Sequence, residues 1–532
     1  MKTFFRKTIA MFLCIAMSAS VAACDNESNT VIDNSSNSST TKIVSNDYVS
    51  KVNYEAEHPY VEYKGKPYLM LAVQMRLDWI YEDQSRDIAF IQENFAKAKE
   101  DGFDSVIIPI SWNQIEPEKG VFNFDRLELY YKYLDEYDLS VQWIWGGTNS
   151  CGSGAAVPED IRKDPETYKR MLTGKPEIDD MIGKDGAGVV WIDFSCKATM
   201  EREQTALAAM MEWIAGNDTN KRCVMIQVDN EVDQGAGNFQ PDQTDATQNL
   251  VGQWWQTKEG HDKYCWVGGQ RDAVFAQLSA LGDVIHKSSY NCVTRVNLSG
   301  AGRDTIPDLK LDYMDLLDTT GIDIVGVDCY ATTWDALANY ITESGDNVTH
   351  IAEASCTYEF GYSVAKMFER GEGILLYCHR DDRADFGMYE RTTRQNQQWV
   401  EKPTTAESRQ FLQMLRKVGD KLAFAVPNGE VLEFNGEHTK GGVDVTSTLN
   451  KLSIRFTNNN DALGMAFPVS DKEWILMANR DNCQFEFDDS VTVSAATFGK
   501  YDGDNWKVQN TSAVQGNKVT VNAYQVVKVD LK

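Results

Sequence analysis

The sequence predicts an α/β protein, a (β/α)8 TIM barrel followed by a C-terminal all-β sandwich. Three observations predict it. Between about residues 52 and 425, short and nearly continuous apolar runs alternate eight times with amphipathic helical segments, as a parallel sheet covered on both faces requires. No GxGxxG follows the first run, which argues against the open, doubly wound alternative. Beyond about residue 425 the helical period disappears, and short β-branched segments separated by Asn, Asp and Gly take over.

In chain order, the first strand is read at 68–75 and is followed by a helix over 86–100, where Ile88, Phe90, Ile91 and Phe95 fall close to one helical face. The run at 105–110 is the second strand, with a helix at 126–136. The third, 141–145, precedes a long loop over 147–190 and a helix at 201–214. The fourth is 223–228 with a helix at 273–286, and the fifth is 293–298 with a helix near 313–317. The sixth, seventh and eighth are 322–327, 349–352 and 374–377, with helices at 334–341, 361–370 and 405–421. In such a barrel the chemistry sits on the residues that follow the strands. The C-terminal strands are read at 452–456, 474–478, 491–493, 519–521 and 526–529. Packed beside the barrel, this sandwich reads as a structural cap in preference to a carbohydrate-binding module.

The ends of the chain have their own logic. Lys2, Arg6 and Lys7 precede an apolar stretch at 9–17, and Val21-Ala22-Ala23-Cys24 follows. This resembles a bacterial lipoprotein signal, which implies that Cys24 is the lipidated first residue; the alternative is an ordinary signal cleaved near Ala23. Residues 25–51 begin with a stretch rich in Ser, Asn, Asp and Thr that has too little apolar surface to offset its chain entropy, so a flexible tether is expected. No later stretch approaches the roughly 18 consecutive apolar residues of a membrane span. The expected organisation is therefore a signal over 1–24, a tether over 25–51, a catalytic barrel over 52–425 and a sandwich over 426–532. The expected location is the cell envelope, held by lipid at the outer membrane, the cell surface or the periplasmic face.

Composition excludes several function classes. A net charge of −27 disfavours nucleic acid, whose phosphates need a basic partner. Six dispersed histidines give no HExxH, and the 11 cysteines include no CxxC, so neither a catalytic metal, another cofactor nor a disulfide framework is expected. The 13 Trp and 22 Tyr supply enough flat apolar faces to stack on sugars, although most aromatic side chains belong in cores.

Two carboxylates stand out against this background. The fourth strand ends Val228-Asp229-Asn230-Glu231, and the seventh runs Ile351-Ala352-Glu353. Strands four and seven lie across the cavity from one another, so Glu231 and Glu353 can face each other. A pair of carboxyl groups about 5–5.5 Å apart suits double displacement at a glycosidic carbon, one as nucleophile and the other as acid and then base. Burial that keeps Glu231 protonated would fit it for the acid role.

The segment Ile226-Gln227-Val228-Asp229-Asn230-Glu231 resembles the acid/base strand of β-galactosidases in glycoside hydrolase families 35 and 42. The segment from Trp112 to Phe124, reading W-x-x-x-E-P-x-x-G-x-F-x-F, is similar to a signature of the same clan. The resemblance implies that Glu231 is acid/base and Glu353 nucleophile. It further implies that Asn230 holds the sugar's 2-hydroxyl, that Trp112 belongs to the substrate-binding set, that Glu116 meets sugar hydroxyls or else holds its loop by an ion pair, and that Arg76 lies near the nucleophile or else on the surface. Tyr330 is expected to hydrogen-bond Glu353 or to stand as a rim aromatic, and Trp145 and Trp334 to be stacking platforms or core. The clan's tryptophan at the end of the eighth strand is missing here, where the run is Leu376-Tyr377-Cys378, leaving Tyr377 or a loop as the sugar's floor. The implied activity is hydrolysis of β-linked oligo- or polysaccharides, β-galactosides first. A β-mannosidase or β-glucanase of the clan, or a glycan-binding surface lipoprotein without catalysis, are the alternatives.

Overall fold

In a computed structural model, described over residues 48–77, 88–148, 150, 156–164, 166–169, 192, 194–232, 271–298, 313–330, 347–356, 360–381, 387–393, 396–435, 442–447, 451–458 and 462–532, eight parallel strands close into a barrel. They are β1 (Leu71–Gln74), β2 (Ser105–Ser111), β3 (Ser140–Gly146), β4 (Cys223–Val228), β5 (Val293–Leu298), β6 (Ile324–Cys329), β7 (His350–Ser355) and β8 (Gly373–Tyr377). Each pairs with its successor, and β8 pairs with β1 through Ile374 opposite Leu71. The outer ring includes α1 (Ile88–Asp101), α2 (Asp125–Glu136), α3 (Lys197–Asn217), α4 (Arg271–Lys287), α5 (Phe360–Glu369) and α6 (Ala406–Arg416), with a 3-10 turn at Tyr313–Asp318. The leader with Cys24, the tether as far as residue 47, Trp334 with its predicted helix, and most of the loop 147–190 lie outside the described residues.

The sequence pattern explains the layers. In α1 the buried Phe90, Ile91, Phe95 and Ala98 form one stripe, the amphipathic arrangement of a helix laid on a sheet. The helix expected over 405–421 is interrupted: Gly419, at φ +56°, breaks it and a short helix resumes at Asp420–Ala425, because a left-handed residue ends a helix and glycine adopts that conformation most readily.

The barrel interior has two levels. An apolar floor is made by Met70, Ala72, Ile107, Ile144, Val224, Val293 and their neighbours. It is stopped at the bottom by a small antiparallel sheet (Ser50–Asn53, Tyr60–Tyr63, Lys66–Pro67), which contributes Val61. The Ser50 hydroxyl donates to the Val224 carbonyl and accepts the Val293 N–H at 2.9 Å. Above the floor the inward residues turn polar.

The C-terminal region is a sandwich of a six-stranded and a five-stranded antiparallel sheet. Phe434, Phe456 and Phe485 meet between the sheets with ring centroids 4.9–5.5 Å apart. The other face of the larger sheet, through Met465, Phe467, Ile475 and Met477, belongs to the same apolar cluster as Phe368, Leu415 and Leu422 of the barrel's outer helices. The Tyr501 N–H donates to the Lys417 carbonyl at 2.8 Å across this junction. The sandwich is thus packed as part of the barrel's outer layer.

Candidate active site

The C-terminal end of β4 sets the site. Its strand phase directs Met225 and Gln227 inward, and the chain then turns sharply: Asp229 and Glu231 both adopt left-handed backbone, at φ +59° and +46°. Two such non-glycine residues flanking one asparagine are sterically costly and persist only when their surroundings hold them. Gln227 Nε2 donates to the Asp229 carbonyl (3.0 Å), Asn230 Oδ1 (3.0 Å) and Asn297 Oδ1 (2.8 Å). The Glu231 N–H donates to the same Asn297 Oδ1 at 2.8 Å, and Asn297 Nδ2 donates to Asn230 Oδ1 at 3.3 Å. From β3, the Gly147 N–H holds Asp229 Oδ1 at 2.7 Å.

Glu353 lies within β7, two residues before the strand ends and not after it. A register irregularity between Ile351 and Glu353 against β6, repeated against β8, marks a bulge, which re-aims a side chain out of the ordinary alternation. The carboxyl is buried and receives the Tyr330 hydroxyl. Burial and the charge of Glu231 push Glu353 up to about 7, while Tyr330, Arg76 and Arg295 act in the opposite direction. A like charge close to a buried carboxyl disfavours its ionised form. Tyr330, Arg76 and Arg295 each favour the ionised form of Glu353.

Arg76, just past β1, lies near this carboxyl and donates through Nη1 to the Tyr377 hydroxyl at 2.8 Å. Tyr377, ending β8, stands edge-on to Tyr330 with centroids 6.0 Å apart. Tyr330 remains 41% exposed, so its ring is open at the rim while its hydroxyl is engaged. Glu231, Asn230, Glu353, Arg76, Tyr330 and Tyr377 therefore occupy one end of the barrel.

For Trp145 and Glu116 the structure shows the second of the two expected readings, and Trp112 packs beside Glu116. Trp145 is fully buried, because β3 alternates Gln142 and Ile144 inward with Trp143 and Trp145 outward. Its indole N–H donates to Glu203 of α3 at 3.0 Å, so it is packed into the helical layer and offers no stacking face. Trp112 is likewise fully buried and donates to Glu116 Oε2 at 2.8 Å. Glu116 itself accepts the Gly120 N–H at 2.7 Å and Arg202 Nε at 3.2 Å. Arg202 continues to Asp160 and Tyr168 at 2.6 and 3.1 Å. Glu116 holds its loop by a buried ion pair, with its oxygens taken.

Other residues were not singled out from the sequence. Glu203, whose pKa burial raises, accepts from Thr148, Trp145 and Gln277 behind the β3 rim. Gln227, Asn297 and Arg295 form the polar level beneath the carboxylates, and Asp328 accepts from Asn297 Nδ2 at 3.1 Å. The signal was available: polar residues at alternate positions of otherwise apolar strands, Arg295 and Asn297 in β5 above all, face a barrel's interior.

No protein-family model matches the chain, and a search of curated proteins finds no relative. Similar solved structures include a β-galactosidase from the psychrophilic Marinomonas ef1, at 12% identity and a TM-score of 0.44, over 68% of this chain and 62% of that one. A β-glucosidase, 1317, matches at 11% identity and a TM-score of 0.42, over 61% of this chain and 88% of its own. A polyextremophilic β-galactosidase from the Antarctic haloarchaeon Halorubrum lacusprofundi matches at 14% identity and a TM-score of 0.42, over 66% of this chain and 58% of its own. The chain thus spans less than two thirds of the first of these proteins and of the third.

Proposed function

We propose that this chain is a retaining glycoside hydrolase acting on β-linked sugars, terminal β-galactosides first. The observation that carries the reading is Glu231, near enough for its charge to act on the buried Glu353 at one end of the barrel, with the Tyr330 hydroxyl on Glu353. In the first step the Glu353 carboxylate attacks the anomeric carbon while Glu231 gives its proton to the departing glycosidic oxygen. As the leaving group goes, Glu231 becomes the base that takes a proton from water, and water displaces Glu353 to release the sugar. Tyr330 and Arg76 stabilise the carboxylate before attack and again as it is expelled. Asn230, with Oδ1 engaged by Gln227 and Asn297, turns its NH2 edge away from them and toward the ring hydroxyl next to the reacting carbon. The preference for galactose rests on the motif resemblance around Glu231 and Trp112.

The test is hydrolysis of p-nitrophenyl β-D-galactoside and β-D-mannoside by the chain from residue 25 onward, with Glu353→Gln and Glu231→Ala beside it. Cleavage with retention of anomeric configuration, lost in both variants by at least about a thousandfold, is expected. Full activity in Glu353→Gln overturns the nucleophile assignment, and inversion overturns the mechanism. We further propose that the N-terminus anchors the enzyme to the cell envelope through lipid on Cys24. Radiolabelled palmitate incorporated by wild type and not by Cys24→Ala is the expected result.

A further inference from the structure

We propose that Arg295 is a positioning residue for both carboxylates: through Gln227 it fixes the turn carrying Asn230 and Glu231, and its buried charge favours the ionised form of Glu353. The inference rests on the glycosidase reading above.

Arg295 projects from β5 into the barrel and is fully buried. Its donors all meet neutral acceptors: Nε and Nη2 reach Gln227 Oε1 at 3.0 and 2.7 Å, and Nη1 reaches Gln142 Oε1 at 2.8 Å and Met225 Sδ at 3.8 Å. No carboxylate among the described residues pairs with it directly. Burial pulls it down to about 10, so it stays a cation at neutral pH. Burying a guanidinium without an ion pair is costly. A barrel that needed only filling at this level has the alternative used in its floor, where Val293, Ile324 and Leu375 supply apolar side chains. The charges that balance Arg295 are Asp328 and Glu353.

The second half of the argument is orientation. An arginine has donors only, so two of its N–H groups on Gln227 Oε1 leave the amide no choice of flip. Gln227 Nε2 must then point to the rim, where it meets three oxygens: the Asp229 carbonyl, Asn230 Oδ1 and Asn297 Oδ1. Asn297 Oδ1 in turn takes the Glu231 N–H. A line of directed hydrogen bonds runs from Arg295 to the backbone of Glu231, through the left-handed residues that most need support. Facing Glu353 from the surrounding elements are Glu231 after β4, Arg295 on β5, Tyr330 after β6 and Arg76 after β1, with Asp328 on β6 beside Arg295. His350 on β7 is held neutral by burial and by Arg295, and donates from Nδ1 to the Val348 carbonyl.

The experiment uses Arg295→Met, Arg295→Lys and the isosteric Gln227→Glu in the full mature chain. Two readouts are taken: kcat/KM against pH, and an infrared titration of the Glu353 carboxyl, identified by its loss in Glu353→Gln. Arg295→Met should raise the Glu353 midpoint by about one pH unit and lower kcat/KM about a hundredfold. Arg295→Lys should restore the midpoint and not the rate, since an ammonium keeps the charge but cannot grip Gln227 at two points. Gln227→Glu keeps its bond to Arg295 and turns its other oxygen onto three acceptors. It should fold with a Tm within a few degrees of wild type and lose kcat at least tenfold. An unmoved midpoint in Arg295→Met, or a Gln227→Glu enzyme within threefold of wild type, overturns the proposal. Should the wild type cleave no glycoside, the functional reading falls, while the infrared midpoints still decide whether Arg295 governs Glu353. Should Arg295→Met not fold, the lysine variant carries the same test: its midpoint must match wild type while Gln227→Glu shows the loss of rate.

Discussion

Gly147→Ala tests how tightly the β3 rim is tied to the turn that carries Asp229 and Glu231. A Cβ on Gly147 falls 1.7 Å from Glu203 Oε1, 2.8 Å from Trp145 Nε1 and 2.9 Å from Asp229 Oδ1. Glu203, Trp145 and Asp229 are all fully buried. The Glu203 carboxylate would have to retreat by more than an ångström, yet Thr148, Trp145 and Gln277 hold both its oxygens. Overpacking of this kind costs about 1–3 kcal/mol, and a buried carboxylate pulled from its donors adds about 1–3 kcal/mol. The sum, roughly 2–6 kcal/mol, is a large share of a protein's stability. Gly216→Ala, near the end of the same α3 helix, is the control, because nothing lies within 4 Å of its Cβ and alanine is favoured over glycine in a helix by about 1 kcal/mol. Urea unfolding of the two variants beside wild type gives the comparison. Midpoint shifts of opposite sign, with Gly147→Ala also losing activity, are expected. A Gly147→Ala protein within 0.5 kcal/mol of wild type, near the scatter of ordinary surface substitutions, refutes the reasoning.

Other substitutions probe separate parts of the site. Tyr330→Phe removes the hydroxyl that favours the Glu353 anion, so the acidic limb of kcat/KM moves up by about one pH unit and activity falls more at pH 5 than at pH 8; an unmoved limb contradicts the assignment. Because Glu353 is raised to about 7, the folded state binds more protons than the unfolded chain between about pH 4.5 and 7, and stability falls as pH rises through that window. Glu353→Gln is therefore expected to be more stable than wild type at pH 8, by at most about 3 kcal/mol, with the gap closing toward pH 4.5 in thermal melts. Arg202→Met leaves Glu116 buried beside Asp160 without its cation, a loss of about 3–5 kcal/mol read as a lowered Tm. Glu116→Gln should leave KM unchanged within about twofold, since Glu116 binds its own loop; a KM raised tenfold restores the sugar contact.

The barrel was legible because its strands are buried on both faces. The segments at 223–228 and 293–298 are buried at every position, and each is found as read. The same property hid the side-chain phase: Val141-Gln142-Trp143-Ile144-Trp145 is apolar at nearly every position, so its apolar pattern does not say whether the two tryptophans face the cavity or the helices. The bulge that carries Glu353 leaves no local signature, and the seventh strand was therefore read as ending before it. In the sandwich, Gly464–Ser470 was passed over because glycine and Pro468 count against a strand. Asn505–Thr511 was passed over because it is an exposed edge with no apolar alternation. The carboxylates were read from strand ends, whereas Gln227, Asn297 and Arg295, which hold the turn at Glu231, lie within strands where polarity itself was the clue.

The apolar layer shared by the larger C-terminal sheet and the barrel's outer helices bears on how the molecule comes apart. Two bodies joined by a polar seam open in sequence, each with its own heat absorption, and a protease at the joint releases the survivor. Here the separating faces would carry Met465, Phe467 and Ile475 on one side and Phe368 and Leu415 on the other. Neither half then keeps its solubility without its neighbour. Calorimetry should record a single endotherm, and a chain cut after residue 425 should yield an aggregating barrel in place of a smaller working enzyme.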